Sequence, residues 1–254
     1  MPTLSVCIEM FWNDRPLEER IARVAAVGFP AFEFWGWADK DIARIKAAME
    51  ADGLSLAAMC LEPNMSLIRR GMQADLVRGM VATAAVAKQL GCKTIIATIG
   101  NTYDDEPYEF SRRRVVRHLA EVCRVAEDHG LTLVIEPLNT LVDHHGYWMT
   151  RMSQAVDLVQ EVGSPAAKIL MDLYHQQVSE GNLISNLNAY HDAIGHYHCA
   201  GVPGRHELVG GELDYGAILR AIDATGYRGY VGLEYRPTGD ADASLRQALV
   251  LATH

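Results

Sequence analysis

The chain has 254 residues, 49 % of them apolar, a formal charge of −9 and five cysteines. The acidic balance argues against a nucleic-acid surface, because phosphate binding draws on clustered Lys and Arg. An odd number of scattered cysteines inside apolar runs argues against a disulfide framework, and no apolar run approaches the ~18 residues of a membrane span.

Residues 4–8 (LSVCI) read as the first strand. Pro16 fits the first turn of the helix that follows, with Glu18 and Glu19 near its positive end. Residues 31–34 form the second strand, and Asp39 is placed to cap the second helix, whose Ile42, Ile45 and Met49 share a face. A third strand over 54–60 leads to an Ala- and Val-rich helix over about 72–90, expected to lie under other elements. The basic cluster Arg112, Arg113, Arg114 and Arg117 falls on the next helix and reads as a solvated face. Further strands are predicted over 94–98, 131–135, 168–171, 196–199 and 230–233, and Asp214 is placed to cap a helix with Ile218, Leu219 and Ile222 on its buried stripe.

Gly28, Gly53, Gly91, Gly130, Gly163, Gly195 and Gly226 each follow a helical pattern and precede an apolar run, as left-handed helix-ending glycines should. Their mean spacing, roughly 33 residues, is the length of a βα unit. Eight such units predict a single-domain (β/α)8 barrel over residues 1–254. The long connections 62–71, 100–107, 139–151 and 200–213 all follow strands, so they are expected to build a site on the C-terminal face. An N-terminus without a signal-like apolar stretch leads to a cytoplasmic expectation.

Polar residues cluster at the predicted strand tips. Glu136 ends LTLVI, where Pro137 stops the ladder; Asp172 ends KILMD; His196 and His198 lie near the seventh tip, and Glu234 lies at the eighth. Taken singly, each is an ordinary charge at a loop start. Four on successive strands can converge on the barrel axis, where three carboxylates without a cation would repel one another. Glu136, Asp172, His198 and Glu234 are therefore the expected ligands of one divalent ion. Oxygen-rich ligation with one imidazole favours Mn²⁺ or Mg²⁺, with Co²⁺ or Zn²⁺ as alternatives. His196 and His198 face the same side of a strand; His198 is preferred because it is nearer the tip, and His196 is left as a ligand, a partner for a carboxylate or a core histidine. His175 should lie just above the ion, placed to polarise a substrate oxygen. Arg205 and His206 sit in a Gly/Pro-rich loop where an arginine can grip a hydroxyl or carboxylate. Trp12, Trp35, Trp37 and Trp148 fall near strand ends and are candidates for a pocket wall; Glu9, Glu33 and Glu62 also stand near early tips, without an assigned role.

With FEFWGWADKD (32–41), IEPLN (135–139), MDLYHQQVSEGN (171–182), HYHCAGVPGRHE (196–207), GELDY (211–215) and GLEYRP (232–237), nearly the whole chain resembles the hydroxypyruvate isomerase family of the xylose-isomerase-like TIM barrels, which are related to the ketose 3-epimerases. The resemblance implies one metal held by Glu136, Asp172, the residue at 198 and Glu234, proton transfer by Glu136 and Glu234, and substrate contacts from His175 and Arg205. Hydroxypyruvate isomerases typically carry glutamine where this chain has His198, whereas ketose 3-epimerases carry histidine; DHHGYWM (143–149) also departs from the family pattern. The resemblance further implies a homodimer or homotetramer.

The expected function is a metal-dependent isomerase or epimerase of a small sugar or keto acid, of the aldose–ketose type, working through an enediolate. A ketose 3-epimerase is the first alternative. A dehydratase or lyase acting on a keto sugar and a non-catalytic sugar-binding barrel are the others. A phosphodiesterase would need more early-strand ligands and a basic groove, and the sequence offers neither.

Overall fold

A computed structural model describes residues 1–62 and 66–252. Eight parallel strands, β1 (Thr3–Cys7), β2 (Ala31–Glu33), β3 (Ser55–Cys60), β4 (Thr94–Ala97), β5 (Thr132–Ile135), β6 (Ala167–Asp172), β7 (Ile194–Cys199) and β8 (Tyr230–Leu233), close in sequence order into a barrel. This is the (β/α)8 architecture expected, and every predicted strand is present within two residues of its predicted start. Of the connection predicted over 62–71, residues 63–65 lie outside the described residues.

Side-chain alternation divides each strand between two environments. One set of residues packs against the surrounding helices in the main core. The other points into the barrel, where Ala58, Ile96, Val134 and Leu170 from β3 to β6 form a separate apolar cluster. Across the interior, β1, β2 and β7 contribute the buried polar residues Ser5, Glu33, His196 and His198. The register aligns Asp172 with His198, and His198 with Gly232. Because Glu136 is two beyond Val134, Asp172 two beyond Leu170, His198 two beyond His196 and Glu234 two beyond Gly232, period-two alternation aims all four inward at one level.

The first three helices are α1 (Leu17–Val27), α2 (Ile42–Asp52) and α3 (Gln73–Leu90). Pro16 is the residue immediately before α1. Asp41, and not Asp39, caps α2: its carboxylate accepts from the Arg44 backbone N–H at 3.1 Å, whereas Asp39 pairs with Lys40 at 3.4 Å. Asp39 lies two residues too early to meet the free N–H groups. Asp41→Ala is therefore expected to cost about 1 kcal/mol, a melting shift of about 2–4 °C, with Asp39→Ala within about 0.5 kcal/mol of the parent; calorimetry on the pair checks the assignment.

In α4 (Tyr108–Asp128) the basic cluster is not wholly a solvated face. Arg114 is largely buried, pairs with Glu106 and donates to the Ile68 carbonyl at 2.9 Å, and Arg112 pairs with Glu161. After α5 (Met152–Val162), the segment between β6 and β7 holds two helices, α6 (Leu173–Ser179) and α7 (Leu183–Tyr190). The break falls where Gly181 and Asn182 both take positive φ. Asp214 caps α8 (Tyr215–Ala224) by accepting from the Ala217 N–H at 2.9 Å, and α9 (Ala241–Leu251) completes the ring.

Gly195 does not end a helix as predicted. It lies inside β7, where a Cβ would stand 2.8 Å from Lys168 Cβ and 3.0 Å from Val134 Cγ1, so close packing demands the glycine. All five cysteines are free thiols, and among the described residues no helix is long and apolar enough to cross a membrane.

Candidate metal centre at the C-terminal rim

Glu136, Asp172, His198 and Glu234 are buried together, and one ligand atom from each lies within 4.8 Å of the others. Glu136 directly follows β5. Asp172 is both the last residue of β6 and the cap of α6: Oδ1 accepts from the backbone N–H groups of Tyr174 at 2.8 Å and His175 at 3.2 Å, while Oδ2 faces the centre without a hydrogen-bond partner. His198 directs Nε2 to Glu33 Oε2 at 2.9 Å and Nδ1 toward the carboxylates, 3.3 Å from Glu234 Oε2 and 3.8 Å from Glu136 Oε1. Glu234, just past β8, accepts from the Trp35 indole N–H at 2.7 Å on Oε1 and pairs through Oε2 with Arg205.

Three buried polar atoms of this group, Glu136 Oε1, Asp172 Oδ2 and His198 Nδ1, have no hydrogen-bond partner. Buried polar atoms are ordinarily satisfied, and unsatisfied ones cost about 1–3 kcal/mol each. Carboxylate oxygens and an imidazole nitrogen converging in this way fit a divalent cation, and the donor set is mostly hard oxygen. Glu136, His198 and Glu234 line a cavity of about 330 Å³ together with Trp35, Cys60, Leu138, His144, His175 and Arg205.

The surroundings drive the two glutamates apart. Burial pushes Glu136 up to about 8; His198 opposes this, and the nearby Glu234 and Asp172 charges reinforce it. Burial acts on Glu234 in the same sense, but the His198 imidazole, the Arg205 guanidinium and the Trp35 N–H overcome it and hold Glu234 well below the usual carboxylate range. Burial would lower His198, yet Glu234 and Glu33 raise it well above an ordinary histidine.

The structure separates the two histidines that alternation left together. His196 lies deeper, with Nε2 3.1 Å from Glu33 Oε2, outside the four-residue group. His175 lines the cavity. Its Nδ1 accepts from the Asn139 side-chain amide at 2.7 Å, which is oriented because Asn139 Oδ1 already accepts from the backbone N–H groups of Val142 and Asp143. That leaves the His175 proton on Nε2, which has no hydrogen-bond partner and lies 3.6 Å from Asp172 Oδ2, and burial lowers the tendency of the ring to charge.

Arg205, whose loop position suggested a grip on a hydroxyl or carboxylate, meets a carboxylate of the centre itself. Its guanidinium is engaged by Glu234 and lies 3.7 Å from Asp172 Oδ2, so it orients a carboxylate at the centre as well as lining the cavity. His206 points away, to the Arg236 carbonyl at 2.8 Å. Of the four tryptophans only Trp35 lines the cavity; Trp12 donates to Asp242, Trp37 to Thr83, and Trp148 is buried against Tyr108. Glu9 pairs with Lys40 at 3.0 Å and takes no part. Glu62 is outside the four-residue group and the cavity lining. Sequence reasoning missed the contacts of Glu33, Trp35, Asn139 and His144. The first two belong to FEFW, where an acidic residue at the end of an apolar strand was a visible signal; the other two depend on how the 139–151 loop folds back.

Residues 21–252 match the family described as the xylose isomerase-like TIM barrel. The chain is 33 % identical to a 2-oxo-tetronate isomerase of Cupriavidus necator over 253 residues, covering 96 % of each chain. It is 30 % identical to the hydroxypyruvate isomerase of Escherichia coli, covering 97 % of this chain and 98 % of that one. Among solved structures, one described as an AP endonuclease, family 2, from Brucella melitensis superposes with a TM-score of 0.93 at 28 % identity, covering 98 % of this chain and 99 % of that one.

Proposed function

The chain belongs to the xylose isomerase-like TIM-barrel family, and from that premise we propose that it is a metal-dependent isomerase that moves a proton between adjacent carbons of a small keto acid or ketose through an enediolate. The observation that carries the reading is the pair Glu136 and Glu234, contributed by the outermost two of four successive strands that together present one set of cation-seeking atoms. A binding site needs one carboxylate to satisfy a ligand; two in one centre suit removal and return of a proton. The relatives whose names specify a 2-oxo-tetronate and hydroxypyruvate support the keto-acid side of the proposal.

Glu136, Asp172, His198 and Glu234 would hold the ion, with Mn²⁺ or Mg²⁺ favoured by the oxygen donors and Co²⁺ or Zn²⁺ as alternatives. A bound divalent ion supplies Lewis acidity, which acidifies the carbon beside a carbonyl and offsets the charge of the enediolate. His175 donates its Nε2–H to a substrate oxygen and, being neutral, does so without competing for the substrate proton. Arg205 and the Trp35 N–H hold Glu234 in one orientation, which keeps it ionised and aimed across the cavity floor. One glutamate takes the proton from carbon; the other returns a proton to the neighbouring carbon or to the opposite face.

A ketose 3-epimerase is the second reading, favoured by histidine at 198. The same experiment separates the two. Metal-loaded protein in D₂O is given hydroxypyruvate, four-carbon keto acids and common ketoses, and deuterium entry is followed by NMR. Deuterium at the carbon next to a carbonyl, with an aldose–ketose product, supports the isomerase; inversion at the exchanged carbon supports the epimerase. No exchange in protein shown to contain metal would sink both.

A further inference from the structure

Below the four-residue centre lies a second buried polar group, which shares His198 with it and adds three residues the function has not used: Ser5 of β1, Glu33 of β2 and His196 of β7, all inside the barrel. Glu33 Oε2 lies 2.9 Å from His198 Nε2 and 3.1 Å from His196 Nε2, while Oε1 accepts the Ser5 hydroxyl. Space for this carboxylate comes from β8. A Cβ on Gly232 would collide with Glu33 Oε1 and stand 2.7 Å from His198 Cδ2, so the strand has no side chain where Glu33 and His198 meet.

The same residues could be read as a second ion site, since Glu33, His196 and His198 form a compact group of potential ligands. Hydrogen-bond bookkeeping decides against it. Both ring nitrogens and both carboxylate oxygens of this lower group that face one another are partnered, whereas the unpartnered atoms belong to the upper group. The lower group is complete without an ion.

We propose that Glu33 is the positioning residue for metal ligation by His198: by accepting the Nε2–H it fixes ring orientation and tautomer, so that Nδ1 presents a lone pair to Glu136, Asp172 and Glu234. The inference rests on the reading of those four residues as a metal centre. A neutral imidazole carries one proton, and an ionised carboxylate behind Nε2 keeps it there while increasing the basicity of Nδ1. Without that acceptor, the proton is free to move to Nδ1, 3.3 Å from Glu234 Oε2, where it would occupy the ligand position. Sharing one oxygen between two histidines also explains a buried His196 that does not reach the centre.

The test uses Glu33→Gln, which retains the volume and one acceptor oxygen but removes the charge. Mn²⁺ affinity, read from free-ion EPR during titration, is expected to weaken by about 10–100-fold, with the metal-free melting temperature near that of the parent. A role confined to packing would lower the melting temperature and leave affinity in the folded protein unchanged. In parallel, ¹⁵N-histidine NMR of the parent protein loaded with diamagnetic Mg²⁺ should place the His198 proton on Nε2 and the metal-shifted resonance on Nδ1. Affinity within about twofold of the parent in folded Glu33→Gln, or a His198 proton on Nδ1 in the loaded parent, overturns the proposal. If Glu33→Gln does not fold, the parent spectrum decides alone. A parent chain that binds no Mn²⁺ at all would remove the metal centre itself, a failure distinct from an unaffected variant.

Discussion

Exchange of substrate protons with solvent is expected to fall by at least about 10³-fold in Glu234→Gln and in Glu136→Gln, consistent with the contribution of a positioned proton carrier. Glutamine preserves the shape of each side chain, and at 234 its carbonyl can still accept from Trp35, so the folded protein should keep its melting temperature within a few degrees. What it loses is the ability to hold a proton from carbon. At 234 it also loses the charge that engages Arg205, whose guanidinium then has Asp172 Oδ2, 3.7 Å away, as its nearest carboxylate. Exchange kinetics in D₂O must be read beside metal content, because each glutamate is also a proposed ligand. A variant that retains metal and exchanges at near the parent rate would remove that residue from proton transfer. One that loses metal and regains exchange at high Mn²⁺ would reduce its role to ligation.

Metal binding should release protons, and the number should depend on pH. In the metal-free protein burial pushes Glu136 up to about 8, so below that pH it carries a proton that a cation must displace. His198 is raised well above an ordinary histidine by Glu234 and Glu33, so it too must give up a proton to ligate. The sign follows: binding takes up base, and affinity rises with pH. More protons per Mn²⁺ are expected near pH 6.5 than near pH 9, where Glu136 has already given up its own, measured by calorimetry in buffers of different ionisation enthalpy. Affinity that is flat across this range would mean that the centre is already ionised before the metal arrives. Chelator treatment near pH 6.5 should accordingly strip the protein more readily than near pH 9.

The barrel and the four strand tips were legible because both leave periodic marks. Helix-ending glycines spaced about one βα unit apart marked the units, and a carboxylate or histidine at the end of each of the last four strands marked the rim. Gly195 misled because a glycine required by packing inside a strand looks like one that ends a helix. Asp39 and Asp41 are both acceptable caps by residue type, and a two-residue choice of helix start lies below the resolution of a periodic pattern. The contacts of Glu33 with two histidines 163 and 165 residues away, and of Trp35 with Glu234, span the closure of the barrel. No local pattern encodes them. They depend on register across the β1 and β8 seam and on the inward parity of β2.

Asp172 spends one oxygen on the start of α6 and turns the other to the cavity. A residue replacing it has to serve both neighbours. Cysteine and histidine, the usual ligands for softer metals, are poor acceptors for the free N–H groups of a helix start, whereas aspartate and asparagine are good ones. Drift of this position toward softer donors would therefore fray the helix that carries His175 before it altered the ion. The backbone of the sixth unit in this way narrows the mutational routes open to the centre, and keeps its inorganic chemistry tied to oxygen for a reason of folding.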